Sequence, residues 1–182
     1  MRHSFILLAA IAVGAILVSP ARAGQPYGFG TPATQDKIAA WDIDVAPDGK
    51  GLPPGSGSVA DGAKIFASAC AVCHGAKGEG SAQDRLVGGQ GTLTSPKPVR
   101  TVGSYWPYAT TLFDYVRRAM PLTAPQSLTA DQVYAVAAYI LYLNAIVSET
   151  TVLDAATLPK VVMPNRDGFI DAGSKPDTSA KR

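Results

Sequence analysis

The sequence predicts an all-α protein, a small helical domain over residues 59–147 between an irregular N-terminal arm at 24–58 and a C-terminal extension at 148–182. Three observations carry that expectation. Apolar residues recur at helical spacing in three separate runs, each opened by a residue suited to cap a helix. The flanks are instead dense in glycine, proline and serine, which interrupt regular structure. The first helical run leads straight into Cys70-Ala71-Val72-Cys73-His74, and no strand pattern precedes these cysteines.

Residues 1–23 read as a cleavable secretory signal: Arg2 and His3, the apolar run Phe5 to Val18, then Ala21-Arg22-Ala23 as an A-x-A cleavage site. The apolar run is shorter than the roughly 18 residues expected of a spanning helix, so a retained anchor is the weaker reading. No later stretch is apolar enough to span a bilayer. In the arm, Asp48-Gly49 and Leu52-Pro53-Pro54-Gly55 mark turns. Tyr27, Phe29 and the alternation Trp41-Asp42-Ile43-Asp44-Val45 indicate that parts of the arm are held against a surface, either its own domain or a partner. Asp42 and Asp44 fall on the solvent side of that alternation.

Ser58 is placed to cap the first helix, which runs through Ala60, Ala63, Ile65, Phe66 and Ala69, with Gly62 and Phe66 on one face. Gly75 to Gly91 is too rich in glycine for a helix and suits close backbone approach to a flat group. Thr111-Leu-Phe-Asp114 has the form of a capping box for a second helix carrying Leu112, Phe113, Val116 and Ala119 and stopping at Met120-Pro121. Thr129-Ala-Asp-Gln132 opens the third, which continues through Val133, Val136, Ala137, Ile140 and Leu141 to Asn144 and is apolar on more than one face. A short turn at Leu153 to Leu158 and Met163-Pro164-Asn165-Arg166-Asp167-Gly168 follow, and Ala172 to Arg182 has the composition of a disordered tail.

The C-x-x-C-H run is an attachment site for a c-type haem: two thiols to add to the vinyl groups and an adjacent histidine to bind iron. The competing readings fail on the residue inventory. Cys70 and Cys73 are the chain's two cysteines, and His3 lies in the signal. A structural zinc site wants four Cys or His ligands, and three remain. A thioredoxin-type pair belongs to a βαβ unit, and a plain disulfide leaves His74 and Met120-Pro121 unexplained. Export and reduced, haem-bearing thiols together point to a bacterial periplasm. Loss of Arg2 and Arg22 with the signal leaves equal numbers of basic and acidic side chains, and no basic run supports nucleic-acid binding.

A helix ending in C-x-x-C-H, a glycine-rich loop, a middle helix, Met-Pro and a terminal helix together resemble class I cytochrome c. That fold implies a crossing of first and last helices, here Gly62 and Phe66 against Tyr139 or Tyr142. A closer resemblance spans nearly the whole mature chain. Trp41-Asp-Ile-Asp-Val45, Asp48-Gly-Lys-Gly-Leu-Pro-Pro54, Gly103-Ser-Tyr-Trp-Pro-Tyr-Ala-Thr-Thr111, Tyr115-Val-Arg-Arg-Ala-Met-Pro121, Tyr139-Ile-Leu-Tyr-Leu-Asn144 and Met163-Pro-Asn-Arg-Asp-Gly-Phe169 are similar to SoxD, the cytochrome subunit family of the sulfur-oxidising sulfane dehydrogenases. The resemblance implies one covalent haem c, a molybdenum-containing partner of the sulfite-oxidase type (SoxC-like), and a soluble cytochrome as downstream acceptor. Better-known members carry two haems, whereas this chain has a single C-x-x-C-H.

With His74 the last histidine of the mature chain, bis-histidine ligation is excluded. Met120 ends the middle helix, where class I cytochromes place their sixth ligand. Met163 lies beyond the terminal helix and is the alternative; core packing is the ordinary role of either. Arg100 and Trp106, with Tyr105 and Tyr108, lie where a propionate edge would be covered, and a guanidinium or indole N–H can bind a propionate. Arg117 and Arg118 read as a solvated face or a dock for an acidic partner. Three functions remain open from the sequence: an electron-transfer subunit of a molybdenum dehydrogenase, a free periplasmic carrier, and an open-site haem enzyme or sensor. No acid-base pair or nucleophile stands out, so catalysis is expected on the partner.

Overall fold

The computed structural model describes residues 29–170. The signal, Tyr27 and the whole tail from Ala172 to Arg182 lie outside the described residues. Residues 1–35 and 36–182 form two units; of the first, the described part is residues 29–35, where Phe29 is exposed.

In the second unit the elements follow in the order α1 (Gln35–Trp41, which starts at the boundary), β1 (Ser56–Ser58), α2 (Val59–Ala69), α3 (Ala71–His74), α4 (Ala109–Ala119), α5 (Ala130–Leu143) and β2 (Val152–Asp154), with a 3-10 turn at Leu158–Lys160. No described helix is long and apolar enough to cross a membrane. The core is assembled around α5, whose Val133, Tyr134, Val136, Ala137, Ile140 and Leu141 are all buried. An apolar surface on more than one side lets this helix take α2 on one flank and α4 on another.

The α2–α5 crossing depends on Gly62. A Cβ there would lie 2.5 Å from the carbonyl carbon of Ala135 and 2.8 Å from Tyr139 Cβ, so the hydrogen of glycine is what lets the backbones approach. One turn on, Phe66 meets the Tyr139 ring at 5.3 Å between centroids. On the other flank Phe113 of α4 packs on Tyr134 at 4.4 Å.

The helix signals are satisfied where they are local. Ser58 Oγ accepts the Asp61 N–H, and Thr129 and Gln132 form a reciprocal capping box. The box expected at Thr111 to Asp114 does not form: α4 starts three residues earlier, with Tyr108 in the N-cap position, Ala109 the first helical residue and no side-chain cap. Asp114 is instead buried, drawn inward by a partner distant in sequence, the Val45 N–H at 2.9 Å.

The arm is less irregular than its composition suggests. Residues 35–41 form a helix that closes on Trp41 rather than extending through it, because extension begins only beyond that residue. Past Trp41 the alternation holds, with Asp42 and Asp44 exposed and Val45 buried. Ser56–Ser58 pairs antiparallel with Val152–Asp154, Gly57 opposite Leu153. The N-terminal arm and the C-terminal extension thus meet in one small ribbon on α5. Gly57 is required there, since a Cβ would run into the Ala135 backbone. From Ile43 to Ser56 the arm is fastened to its own domain: the Tyr134 hydroxyl donates to Pro53 O at 2.9 Å, and Ser56 N–H donates to Asp131 Oδ1 at 2.7 Å. Trp41, 87% exposed, is left uncovered.

Candidate functional site

Helix α2 runs into the cysteines with one break. Cys70 closes α2 with its N–H on Phe66 O, and α3 then carries Cys73 and His74 in a single turn. Gly75, at φ +84°, turns the chain out of α3, a left-handed conformation that glycine adopts without strain. Cys70 and Cys73 are free thiols, both half-buried, and Val72 between them is 77% exposed. Burial, with a smaller contribution from neighbouring Cys73, pushes the Cys70 thiol up to about 11. A redox-active pair would show the opposite, a thiol depressed toward the thiolate.

His74 Nδ1 lies 2.7 Å from the carbonyl oxygen of Asp84. That bond requires the proton on Nδ1 and leaves the Nε2 lone pair as the donor atom for a metal. The loop that supplies this carbonyl is organised by glycine: Gly78, Gly80, Gly88, Gly89 and Gly91 all have positive φ. Among the described residues no group of three or more His, Cys, Asp or Glu side chains is placed to hold a metal ion.

Asn144 anchors the same loop, a role the sequence offered only as a helix end. Its Oδ1 accepts Gly88 N–H at 3.1 Å, and its Nδ2 donates to Leu86 O at 3.1 Å and Ile140 O at 2.9 Å. Gly103 lies flat against this side chain, where a Cβ would overlap it. Thr101 Oγ1 reaches Gly88 O at 2.5 Å, so one buried amide and one hydroxyl join α5, the glycine loop and the turn at 101–104.

The two segments most distinctive in the sequence, 103–108 and 163–169, pack on each other. Asn165 Nδ2 donates to Tyr105 O at 2.7 Å, Arg166 stands over the Tyr108 ring at 4.5 Å, and Phe169 meets Tyr105 edge-on at 5.2 Å. Tyr108 also pairs with Val162 in a single bridge. Arg100 is exposed, its guanidinium 5.4 Å from the Tyr105 ring centre. Trp106 is half-buried and edge-on to Tyr115 at 5.7 Å. The two side chains named for propionates thus have separate aromatic neighbours.

The methionines are placed differently. Met120 follows the last residue of α4, its N–H bonded to Val116 O, and its side chain is half-buried. Met163 is 1% exposed and enclosed in the core. Cys70, Ala71, Leu86, Trp106, Met120 and Leu128 all pack against the core while only partly buried. Two free thiols, a histidine with its Nδ1 committed and apolar side chains left partly uncovered fit covalent haem and an iron ligated from the protein.

Arg117 and Arg118 are not simply a solvated face. Arg117 Nη1 donates to Ile43 O at 3.3 Å, and Arg118 pairs with Asp114.

A helical domain with its last helix crossing the first at a glycine, and a C-x-x-C-H turn closing that first helix, defines a c-type cytochrome. The family model for cytochrome c matches residues 59–144. No curated protein matches the sequence. Among solved structures, the crystal structure of the sulfane dehydrogenase SoxCD from Paracoccus pantotrophus contains a chain 45% identical to this one, with a TM-score of 0.76. The match covers 86% of this chain and 76% of that one. The protein belongs to the cytochrome c family and is a SoxD-like cytochrome, with covalently bound haem c as its cofactor.

Proposed function

We propose that this chain is the electron-transfer subunit of a molybdenum-dependent dehydrogenase acting on a sulfur compound of sulfane or sulfite type. The observation that carries the reading is the extent of the likeness to the SoxCD chain, 86% of this sequence, where the cytochrome c domain itself occupies residues 59–144. A haem carrier alone needs only that domain. Similarity through arm and extension is what a subunit with a dedicated partner would retain.

In this account Cys70 and Cys73 would hold the haem by thioethers, and His74 Nε2 and the Met120 thioether would hold its iron. When bound, the haem supplies one-electron oxidation and reduction at its iron. The Asp84 carbonyl fixes the His74 tautomer and makes the ring a better donor. Ligation by a methionine thioether together with histidine would raise the potential, which suits acceptance of electrons. Met163, buried with the core cluster, serves as packing. Arg100 and Trp106 are assigned to the propionates. Residues 1–23 direct export to the periplasm, where the partner is a SoxC-like subunit and a soluble cytochrome takes the electrons onward.

The test is anaerobic addition of sulfane and sulfite compounds to the protein purified from its host together with its partner, with the visible spectrum followed. Substrate-dependent haem reduction that disappears when the partner is removed is the expected result. A haem that stays oxidised with every sulfur substrate, although dithionite reduces it, refutes the proposal.

A further inference from the structure

We propose that the extended segment 43–47 is a strap that positions α4, and through it Met120, so that the sixth site of the iron stays closed. The inference rests on Met120 as the axial ligand.

Three side chains of α4 hold the strap, all by its backbone. Arg117 Nη1 donates to Ile43 O at 3.3 Å, Asp114 Oδ1 accepts Val45 N–H at 2.9 Å, and Thr110 Oγ1 donates to Pro47 O at 3.2 Å. Residues 110, 114 and 117 fall on one side of a helix, and alternate residues of an extended chain present their backbone groups to the same side. The spacings agree as well: about 6 Å for four helical residues and about 6.6 Å for two extended ones. The strap therefore runs antiparallel to α4 in register.

None of these bonds is needed to form α4, whose own backbone bonds are complete through Met120 N–H. Asp114 is nonetheless buried, and a buried carboxylate is costly unless charge and lone pairs are matched. Arg118 matches the charge, and Val45 N–H takes the other oxygen. The far end of the strap is fixed by a tight turn. Ala46 N–H donates to Lys50 O at 2.9 Å, Lys50 N–H donates to Asp48 Oδ1 at 2.9 Å, and Gly51 at φ +91° leaves no room for a Cβ beside Asp44 O. Met120 follows Arg117 by three residues and α4 ends at Ala119. No flexible linker separates the anchors from the ligand, so a shift of α4 is a shift of the thioether.

The full-length holoprotein carries the test. Carbon monoxide binding to the reduced form, by stopped flow, and the reduction potential are measured for the native protein, Asp114→Leu, Asp114→Asn, Val133→Ala and Met120→Ala. Asp114→Leu should bind carbon monoxide about tenfold faster, the change in open population that loss of one charge-assisted bond brings, and should show a lower potential. Asp114→Asn keeps an acceptor for Val45 N–H and should return most of the native behaviour. Val133→Ala, a core cavity that removes none of the three strap bonds, should leave the rate near native. A closed Asp114→Leu, or an equal opening in Val133→Ala, overturns the strap. If Asp114→Leu does not accumulate as holoprotein, Thr110→Val decides on the same readouts: faster binding supports the strap and a native rate overturns it. Met120→Ala separates the two layers. Should it keep the native spectrum and rate, the ligand assignment and the strap fall together; should it open while Asp114→Leu stays closed, the strap alone is wrong.

Discussion

Gly62→Ala opposes two effects whose signs differ. Gly62 lies inside α2, and alanine in a helix interior is favoured over glycine by about 1 kcal/mol. Considered as a helix alone, the variant should therefore be more stable. Across the crossing, the new Cβ would stand 2.5 Å from Ala135 C and 2.8 Å from Tyr139 Cβ, where ordinary carbon contacts are about 3.5–4.0 Å. The obstacle is the backbone at buried Ala135, so no side-chain rotation relieves it, and α2 must retreat from α5 by about 1 Å. Overpacking of this kind costs typically about 1–3 kcal/mol, and more where nothing yields. Set against the propensity gain, the net should be a loss of about 2 kcal/mol, or about 4–8 °C in melting temperature for a chain of this size. Denaturant and thermal unfolding of the holoprotein, followed by haem absorbance, measure it, with the exposed Ala67→Gly as the propensity control. A Gly62→Ala protein as stable as the native one, or more so, would refute the close-crossing argument.

Other consequences follow from the same geometry. Met163→Leu, a core swap of similar volume, should cost less than about 1.5 kcal/mol and leave the visible spectrum and potential unchanged. Met120→Ala should alter both, and the reverse pattern would move the axial ligand to Met163. Asn144→Leu leaves the Gly88 N–H and the Leu86 carbonyl without their partner and should destabilise by about 2–4 kcal/mol. It should also speed amide exchange in residues 86–90 by mass spectrometry more than in α2. Burial raises the Tyr134 hydroxyl from 10.0 to about 12. The unfolded chain then loses that proton first as pH rises, so the contribution is present below pH 10 and is lost toward 12. Tyr134→Phe should lose less stability over that interval in unfolding titrations.

How much of this was legible in the sequence depended on how local the cause was. The C-x-x-C-H turn, the Ser58 cap and the Thr129–Gln132 box involve residues within four positions of each other, and all appear as read. The α2–α5 crossing at Gly62, Phe66 and Tyr139 was legible through family resemblance rather than spacing. The α4 start was misplaced because Asp114 has the residue type of a box member, while its partner, Val45, lies 69 positions away. The β1–β2 ribbon was missed because Ser-Gly-Ser carries no strand propensity, and its pairing is imposed by packing on α5. Arg117 and Asn144 were undervalued for the same reason: one binds the arm and the other the glycine loop, both through backbone groups that leave no mark on composition.

The central claim is tested most directly by purifying the native holoprotein from its host at low salt and quantifying molybdenum and haem iron in the same fraction. Molybdenum stoichiometric with haem and a larger co-eluting subunit are expected. Haem without molybdenum, in a monomeric fraction, would contradict the account and leave a free carrier.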